Sequence, residues 1–213
     1  MGPFLPRPTV LGARPRVLDA CCGAGGAAMG YHLAGFDVVG VDIAPQPNYP
    51  FEFVQADALE FVAEHGHEFD LIHGSWPCEH YATVTRWRGT PTDHPDLVPD
   101  GRRIMEATGR PWVIENVPEA PIRHDYLLCG TQFGLKVRRH RAFETSWGAT
   151  ADLVPPCWHP RGLLAFDHSQ ERAYADAMGC TWMTNQEARK AIPPAYTRHI
   201  ADQYLRLTAL EAA

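Results

Sequence analysis

The chain has 213 residues, 45% of them hydrophobic and 21% charged, which is enough to bury a core and suits one domain, or one domain with a small appendage. It contains no run of about 18 apolar residues, so no helical membrane span is expected. The formal net charge of −6 argues against a bulk electrostatic grip on nucleic acid, and any such binding has to use a local basic patch.

Residues 1–15 (MGPFLPRPTVLGARP) carry prolines and arginines without a long apolar stretch, and read as a flexible lead-in with no signal peptide. From residue 16 the pattern changes. RVLDACCGAGGAAMGYHLAGFDVVGVDIA reads as a strand, a turn built on Gly23, Gly25 and Gly26, a helix, and a second short buried strand ending in Asp42. FEFVQADALEFVAEHG continues as strand and short helix, and FDLIHGSW as another strand. DLVPDGRRIMEATGRPWVIENV gives a helix followed by the strand Trp112 to Glu115. Strands alternating with helices predict an α/β fold with a mostly parallel sheet covered on both faces.

YATVTRWRGTPTDHP lacks apolar periodicity and is expected to be a long loop. Thr184 and Glu187 form a capping-box pattern, Pro193 and Pro194 should break that helix, and AYTRHIADQYLRL opens a last helix predicted to bury Tyr196, Ile200, Tyr204 and Leu207. The expected organisation is a lead-in (1–15), a core (16–146), a short irregular insert rich in proline and histidine (147–183), and C-terminal helices (184–213).

Several residues carry possible chemistry. Asp19 and the glycines that follow it lie at the end of the first strand, where open α/β sheets bind ligands. Asp42 follows at about the 20-residue offset at which an acid takes ribose hydroxyls. Asp57, in QADAL, is read as the acid ending the third strand. Three acids at one sheet edge, without the lysine of a phosphate loop, point to a nucleoside-type cofactor. GSWPCEHYA raises a sharper question: Cys78, set after a proline at a strand end, is either a small buried hydrophobe or a fixed nucleophile. The six cysteines (21, 22, 78, 129, 157 and 180) show no framework spacing, which fits a reduced, cytoplasmic setting. Cys157, His159, His168 and Cys180 hint at zinc, but no pair has finger spacing; a structural loop is expected and no metal is assigned.

Five segments, in order from about residue 16 to residue 206, resemble the DNA cytosine-5 methyltransferases, and more narrowly their small phage-type members. DACCGAGGAAMG resembles the family's S-adenosylmethionine loop and GSWPCEHY its Pro-Cys motif. WVIENVP contains the Glu-Asn-Val motif, VRRHRAFE resembles the arginine pair, and KAIPPAY the segment that returns to the cofactor. The resemblance implies a Rossmann-like, S-adenosylmethionine-dependent methyltransferase fold. It also implies a catalytic set of Cys78, Glu115, Arg139 and Arg141 acting on a cytosine flipped from double-stranded DNA. Implied cofactor contacts are Asp19, Cys22, Gly23, Gly25, Gly26, Asp42, Ile43, Asp57, Ala58, Pro77, Lys190 and Ala191. Arg86, Trp87, Arg88, Asn116 and Arg138 are the DNA-binding candidates, in a monomer working in a phage or bacterial host cytoplasm.

Four departures from the family pattern matter. Glu79 stands where glutamine is usual, and is expected to pair with Arg86, Arg88 or Arg139. Val137 also replaces a glutamine. The stretch available for target recognition, Thr145 to Met183, is too short for much major-groove reading, so short or relaxed specificity is expected, with affinity mostly from phosphate contacts and the flipped base. Arg189-Lys190 replaces Gly-Asn; Lys190 either reaches solvent, pairs with Glu187, or selects carboxy-S-adenosylmethionine and so yields carboxymethylcytosine. Two alternatives keep part of this reading: the same chemistry on RNA or a free cytidine nucleotide, and a catalytically silent nucleic-acid-binding relative.

Overall fold

The computed structural model describes residues 14–83, 85, 90, 94–150, 154–164 and 170–211. Along the chain these residues form β1 (Arg16–Ala20), α1 (Gly26–Leu33), β2 (Asp37–Asp42), β3 (Glu52–Gln55), α2 (Ala58–His65), β4 (Leu71–Gly74) and α3 (Val98–Ala107). They continue with β5 (Trp112–Asn116), β6 (Tyr126–Leu128), β7 (Arg141–Thr145), α4 (Glu171–Ala177), α5 (Asn185–Lys190) and α6 (Pro194–Glu211). The sheet order is β3-β2-β1-β4-β5-β7-β6. The first five of these strands are parallel, and β7 runs antiparallel to both of its neighbours. The chain leaves β1 toward one edge and returns beside it at β4, so the carboxyl ends of β1 and β4 form the crevice where such sheets bind ligands.

Both faces of the sheet are buried, which explains the near-continuous apolar strands. Leu18, Val39, Ile72 and Ile114 point to one face with Phe61 and Val62 of α2 and Met105 of α3. Val17, Val38, Leu71 and Val113 point to the other, with Tyr31 of α1 and Tyr196 and Ile200 of α6. Helices α1 and α6 approach closely: a side chain at Gly30 would collide with Thr197 Oγ1 and the Pro194 carbonyl. The insert adds a smaller cluster in which Val137 packs with Tyr174, Met178 and Met183. The apolar residue at 137 is thereby explained by its surroundings.

Four expectations are corrected. Strands β6 and β7 were not anticipated; RAFET is short and carries buried polar residues at Glu144 and Thr145, so it lacks an apolar signature. The third strand ends at Gln55, and Asp57 instead caps α2, its Oδ1 accepting from the amides of Leu59 and Glu60. The last helix opens at Pro194, a position that proline suits because it needs no amide partner, and Tyr204 and Leu207 are half-buried where full burial was expected. At the end of the lead-in, Arg14 is anchored, donating to the carbonyls of Gly35 and Phe36. Among the described residues no helix is long and apolar enough to cross a membrane.

Candidate active site

A cavity of about 450 Å³ opens at the carboxyl ends of β1 and β4. One wall is the turn after β1. Cys21 takes a positive φ of 57°, rare for a residue with a side chain, and Gly23 and Gly25 follow with φ of 49° and 83°. The turn is fixed from outside: Asp42 Oδ2 accepts from the Gly23 amide, and Trp182 Nε1 donates to the Ala24 carbonyl. At Gly26 the return segment comes so near that a Cβ would lie 2.6 Å from the Ile192 carbonyl.

The second wall is the loop after β4. Trp76 is sunk against Gly74 and Gly101, where any added side chain would strike its ring. Asn116 Nδ2 donates to the Trp76 carbonyl. These two residues seat the Pro77-Cys78 corner, and the Cys78 carbonyl then accepts from the amides of Tyr81 and Ala82. The third wall is α5 with the residues after it. The capping box forms as expected: Thr184 and Glu187 satisfy each other's backbone amides. Glu187 also takes both Asn48 Nδ2 contacts at 3.0 Å, tying the loop after β2 to α5. Burial works against the Glu187 charge, but hydrogen bonds from Thr184 and Asn48 hold its pKa below the usual carboxylate value.

Of the predicted cofactor residues, Cys22, Gly23, Gly26, Asp42, Ile43, Asp57, Ala58, Pro77, Lys190 and Ala191 line this cavity. Asp19 and Gly25 do not. Asp19 is fully buried beneath the turn, and burial raises its pKa well above the carboxylate range. Gly25 lies against Tyr49 and Pro50.

Of the catalytic candidates, Cys78, Glu115 and Arg141 face the cavity. Arg141 Nε lies 2.8 Å from Glu115 Oε1, both side chains being mostly buried. The Glu115 pKa is raised: burial pushes it up, and Arg141, a hydrogen bond from Ser75, and Arg139 offset this in part. The Cys78 thiol is likewise pushed up by burial, with Arg141 pulling it down and Glu79 and Glu115 pushing it up. Arg139 is corrected. It turns away from the cavity, donating to the Tyr174 hydroxyl and the Arg189 carbonyl, and so ties β7's approach to the insert and α5. It acts on the site by position.

The DNA-binding candidates divide three ways. Asn116 is 1% exposed and serves the Trp76 loop, so it is no surface contact. Arg138 is exposed, and Arg86, Trp87 and Arg88 lie outside the described residues. Glu79 pairs with Lys190, Nζ to Oε1 3.4 Å, in place of the arginines expected for it; Glu187, expected as a partner of Lys190, is committed to Thr184 and Asn48.

Three polar residues behind Glu115 escaped the sequence reading. Tyr31 OH lies 3.0 Å from His73 Nδ1, His73 Nε2 lies 2.9 Å from Ser75 Oγ, and Ser75 in turn bonds Glu115. Burial lowers the His73 pKa to about 3, so the imidazole is neutral. The available signal was polarity at alternate positions of a strand otherwise read as apolar, His73 and Ser75 just before the Pro-Cys pair. The zinc hint is also redrawn. Cys157 and His159 do come together, but with Cys129 and His140; Cys180 is buried elsewhere near the Ile192 carbonyl, and His168 lies outside the described residues.

No protein-family model matches the chain. It is 30% identical over 208 residues to the type II methyltransferase M.XorII of Xanthomonas oryzae pv. oryzae, covering 86% of this chain and 43% of that protein. It is 31% identical over 109 residues to the type II methyltransferase M.NgoMIV of Neisseria gonorrhoeae, covering 47% of this chain and 35% of that protein. The chain thus spans less than half the length of these relatives. Among solved structures it is similar to the S. pombe Dnmt2 methyltransferase, with a TM-score of 0.58 at 13% identity, over 92% of this chain and 99% of that one. Sheet order and structural likeness agree: the protein has the Rossmann-like methyltransferase fold, and its sequence is similar to type II methyltransferases.

Proposed function

We propose that the chain is an S-adenosylmethionine-dependent methyltransferase that modifies carbon 5 of a cytosine flipped out of double-stranded DNA. The observation that carries this reading is the convergence of Cys78, Glu115 and Arg141 on the cavity that also contains the glycine turn and Asp42. The donor set suits the cofactor. Each Asp42 oxygen accepts one backbone amide, from Gly23 and Ala44, which leaves lone pairs for ribose hydroxyls. Ile43, 71% exposed at the end of β2, offers an apolar face to a purine.

When bound, S-adenosylmethionine supplies an electrophilic methyl group on a sulfonium sulfur. Cys78 loses its thiol proton and its Sγ bonds to carbon 6 of the cytosine, which makes carbon 5 electron-rich. Glu115 stays protonated to higher pH than an ordinary carboxyl, and gives its proton or a strong hydrogen bond to ring nitrogen 3. Arg141 holds Glu115 in place and lowers the cost of a thiolate at Cys78. Once carbon 5 carries the methyl, its proton passes to solvent and the electron pair of that bond expels Cys78 from carbon 6 as a thiolate. Ring nitrogen 3 returns its proton to Glu115, and the ring is restored.

With a short insert between β7 and α5, the sequence preference is expected to be short or relaxed. A carboxylated cofactor is the second reading, because Lys190 lines the cavity; its pairing with Glu79 favours the plain methyl donor. Nucleosides from duplex DNA incubated with the protein and S-adenosylmethionine should show 5-methyldeoxycytidine by mass spectrometry. Cys78→Ala should cut that signal by more than about a thousandfold, as removal of a nucleophile does. Full activity in Cys78→Ala would overturn the nucleophile. Product on RNA or free cytidine nucleotides alone would overturn the DNA substrate, and a carboxymethyl product would overturn the cofactor.

A further inference from the structure

Beyond the cavity, the described residues contain a group of side chains that methyl transfer leaves unexplained. Cys129, His140, Cys157 and His159 each bring one ligand atom to a common point, and those atoms all lie within 4.8 Å of one another. Cys129 Sγ is 3.4 Å from His159 Nε2, and Cys157 Sγ is 3.7 Å from His140 Nε2. A tetrahedral zinc site with bonds of about 2.0–2.3 Å has ligand-to-ligand edges of about 3.3–3.8 Å. These two sulfur-to-nitrogen edges already match such a site, before any ion draws the group together. The two imidazoles stand nearly perpendicular, at 85° with centroids 5.0 Å apart, which lets both aim a nitrogen inward without stacking.

We propose that these four residues bind one zinc ion, closed to further ligands and structural in role. On binding, the two thiols release their protons to solvent, and the two neutral imidazoles each give a lone pair. The ligands come from three places: Cys129 just after β6, His140 just before β7, and Cys157 with His159 in the insert. The surroundings support the sulfur nearest the core. Thr131 Oγ1 donates to Cys129 Sγ at 3.6 Å and accepts from the Trp158 amide, and Gln132 Nε2 donates to the Pro155 carbonyl. These contacts present the insert to the site in register.

The consequence for the chain is positional. His140 lies between Arg139 and Arg141, so the ion fixes the backbone that delivers one arginine to Glu115 and the other to the insert. Cys129 is buried, while Cys157 and His159 are exposed, so the insert half of the site can be altered without opening the core.

The test uses the whole 213-residue chain and does not depend on methyl transfer. Purified without added chelator, the protein should carry about one zinc per chain by mass spectrometry of the elements. Exchange into cobalt(II) should give the visible absorption of a tetrahedral thiolate site. Cys157→Ser and His159→Asn should each weaken cobalt binding by more than about 100-fold, since loss of even an outer-shell partner costs about 10–100-fold. His124→Asn, an exposed histidine outside the group, should leave it unchanged. Wild-type protein without zinc and without a cobalt spectrum, or a Cys129–Cys157 disulfide in non-reduced peptide maps, would overturn the site, as would full metal retention in both ligand variants.

Discussion

The sheet joins two regions that are stabilised differently. From β3 to β5, parallel strands bury apolar side chains on both faces, and packing is closest where α1 crosses α6. The β7-β6 edge holds its charge inside. Glu144, 2% exposed, takes Arg102 at 2.7 Å and Arg123 at 3.0 Å, and also accepts from the Arg123 amide. Asp125 accepts from the Thr145 amide, and Arg141 meets Glu115 across the β5-β7 pair. Apolar burial tolerates many sequences of the right volume, whereas a buried polar network works only when each member has its partner. The parallel region sets the fold class, and the charged edge sets the geometry of Arg141 against Glu115.

The comparison is tested most severely at Glu115, where the two regions meet. Glu115→Gln should lower the methyl-transfer rate by about 10²–10⁴-fold, the usual worth of a positioned acid. The sign of the pH effect follows from the raised pKa: the acid form persists to higher pH, so the wild-type rate should fall as pH rises through the raised value. The variant should lack that falling limb. An unchanged rate and profile would mean that Glu115 serves only to hold Arg141.

In the parallel region the expected failure is steric. Gly30→Ala should cost about 2–3 kcal/mol in urea unfolding, because its methyl group meets backbone and a buried hydroxyl with no room to yield. In the charged edge the expected failure is smaller and local. Glu144→Gln should cost about 1–2 kcal/mol, leaving Arg102 and Arg123 with a weaker acceptor. Hydrogen exchange should then quicken in β6 and β7 ahead of β1 and β2. Uniform quickening across the sheet would show that the two regions unfold as one.

What the sequence disclosed follows the same division. Apolar strands, the glycine turn and the Pro-Cys corner are local patterns, so β1 to β5 and most of the cavity lining were readable. Asp57 was misread although its signal was present: Asp57 with Glu60 three residues on is itself a capping pattern. β7 was hidden because its buried residues include Glu144 and Thr145, whose burial makes sense only beside Arg102, Arg123 and Asp125. Arg139 and Arg141 look equivalent in VRRHR, yet Arg141 faces the cavity and Arg139 the insert, which only the start of β7 decides. The grouping of Cys129 and His140 with Cys157 and His159 spans three segments and has no spacing to read.

The bond between Asn48 and Glu187 has a consequence for how the protein comes into being. The cavity is begun by the turn after β1 and finished by Glu187, Lys190, Ala191 and Ile192. On a ribosome, synthesis runs from the first of these to the last. The nascent chain therefore carries the glycine turn and Cys78 long before it has the third wall. Until the segment around residue 190 emerges, the loop after β2 has no latch and the pocket no floor on that side. Cofactor capture therefore waits for the segment that carries Glu187, and the latch closes only once that segment has emerged.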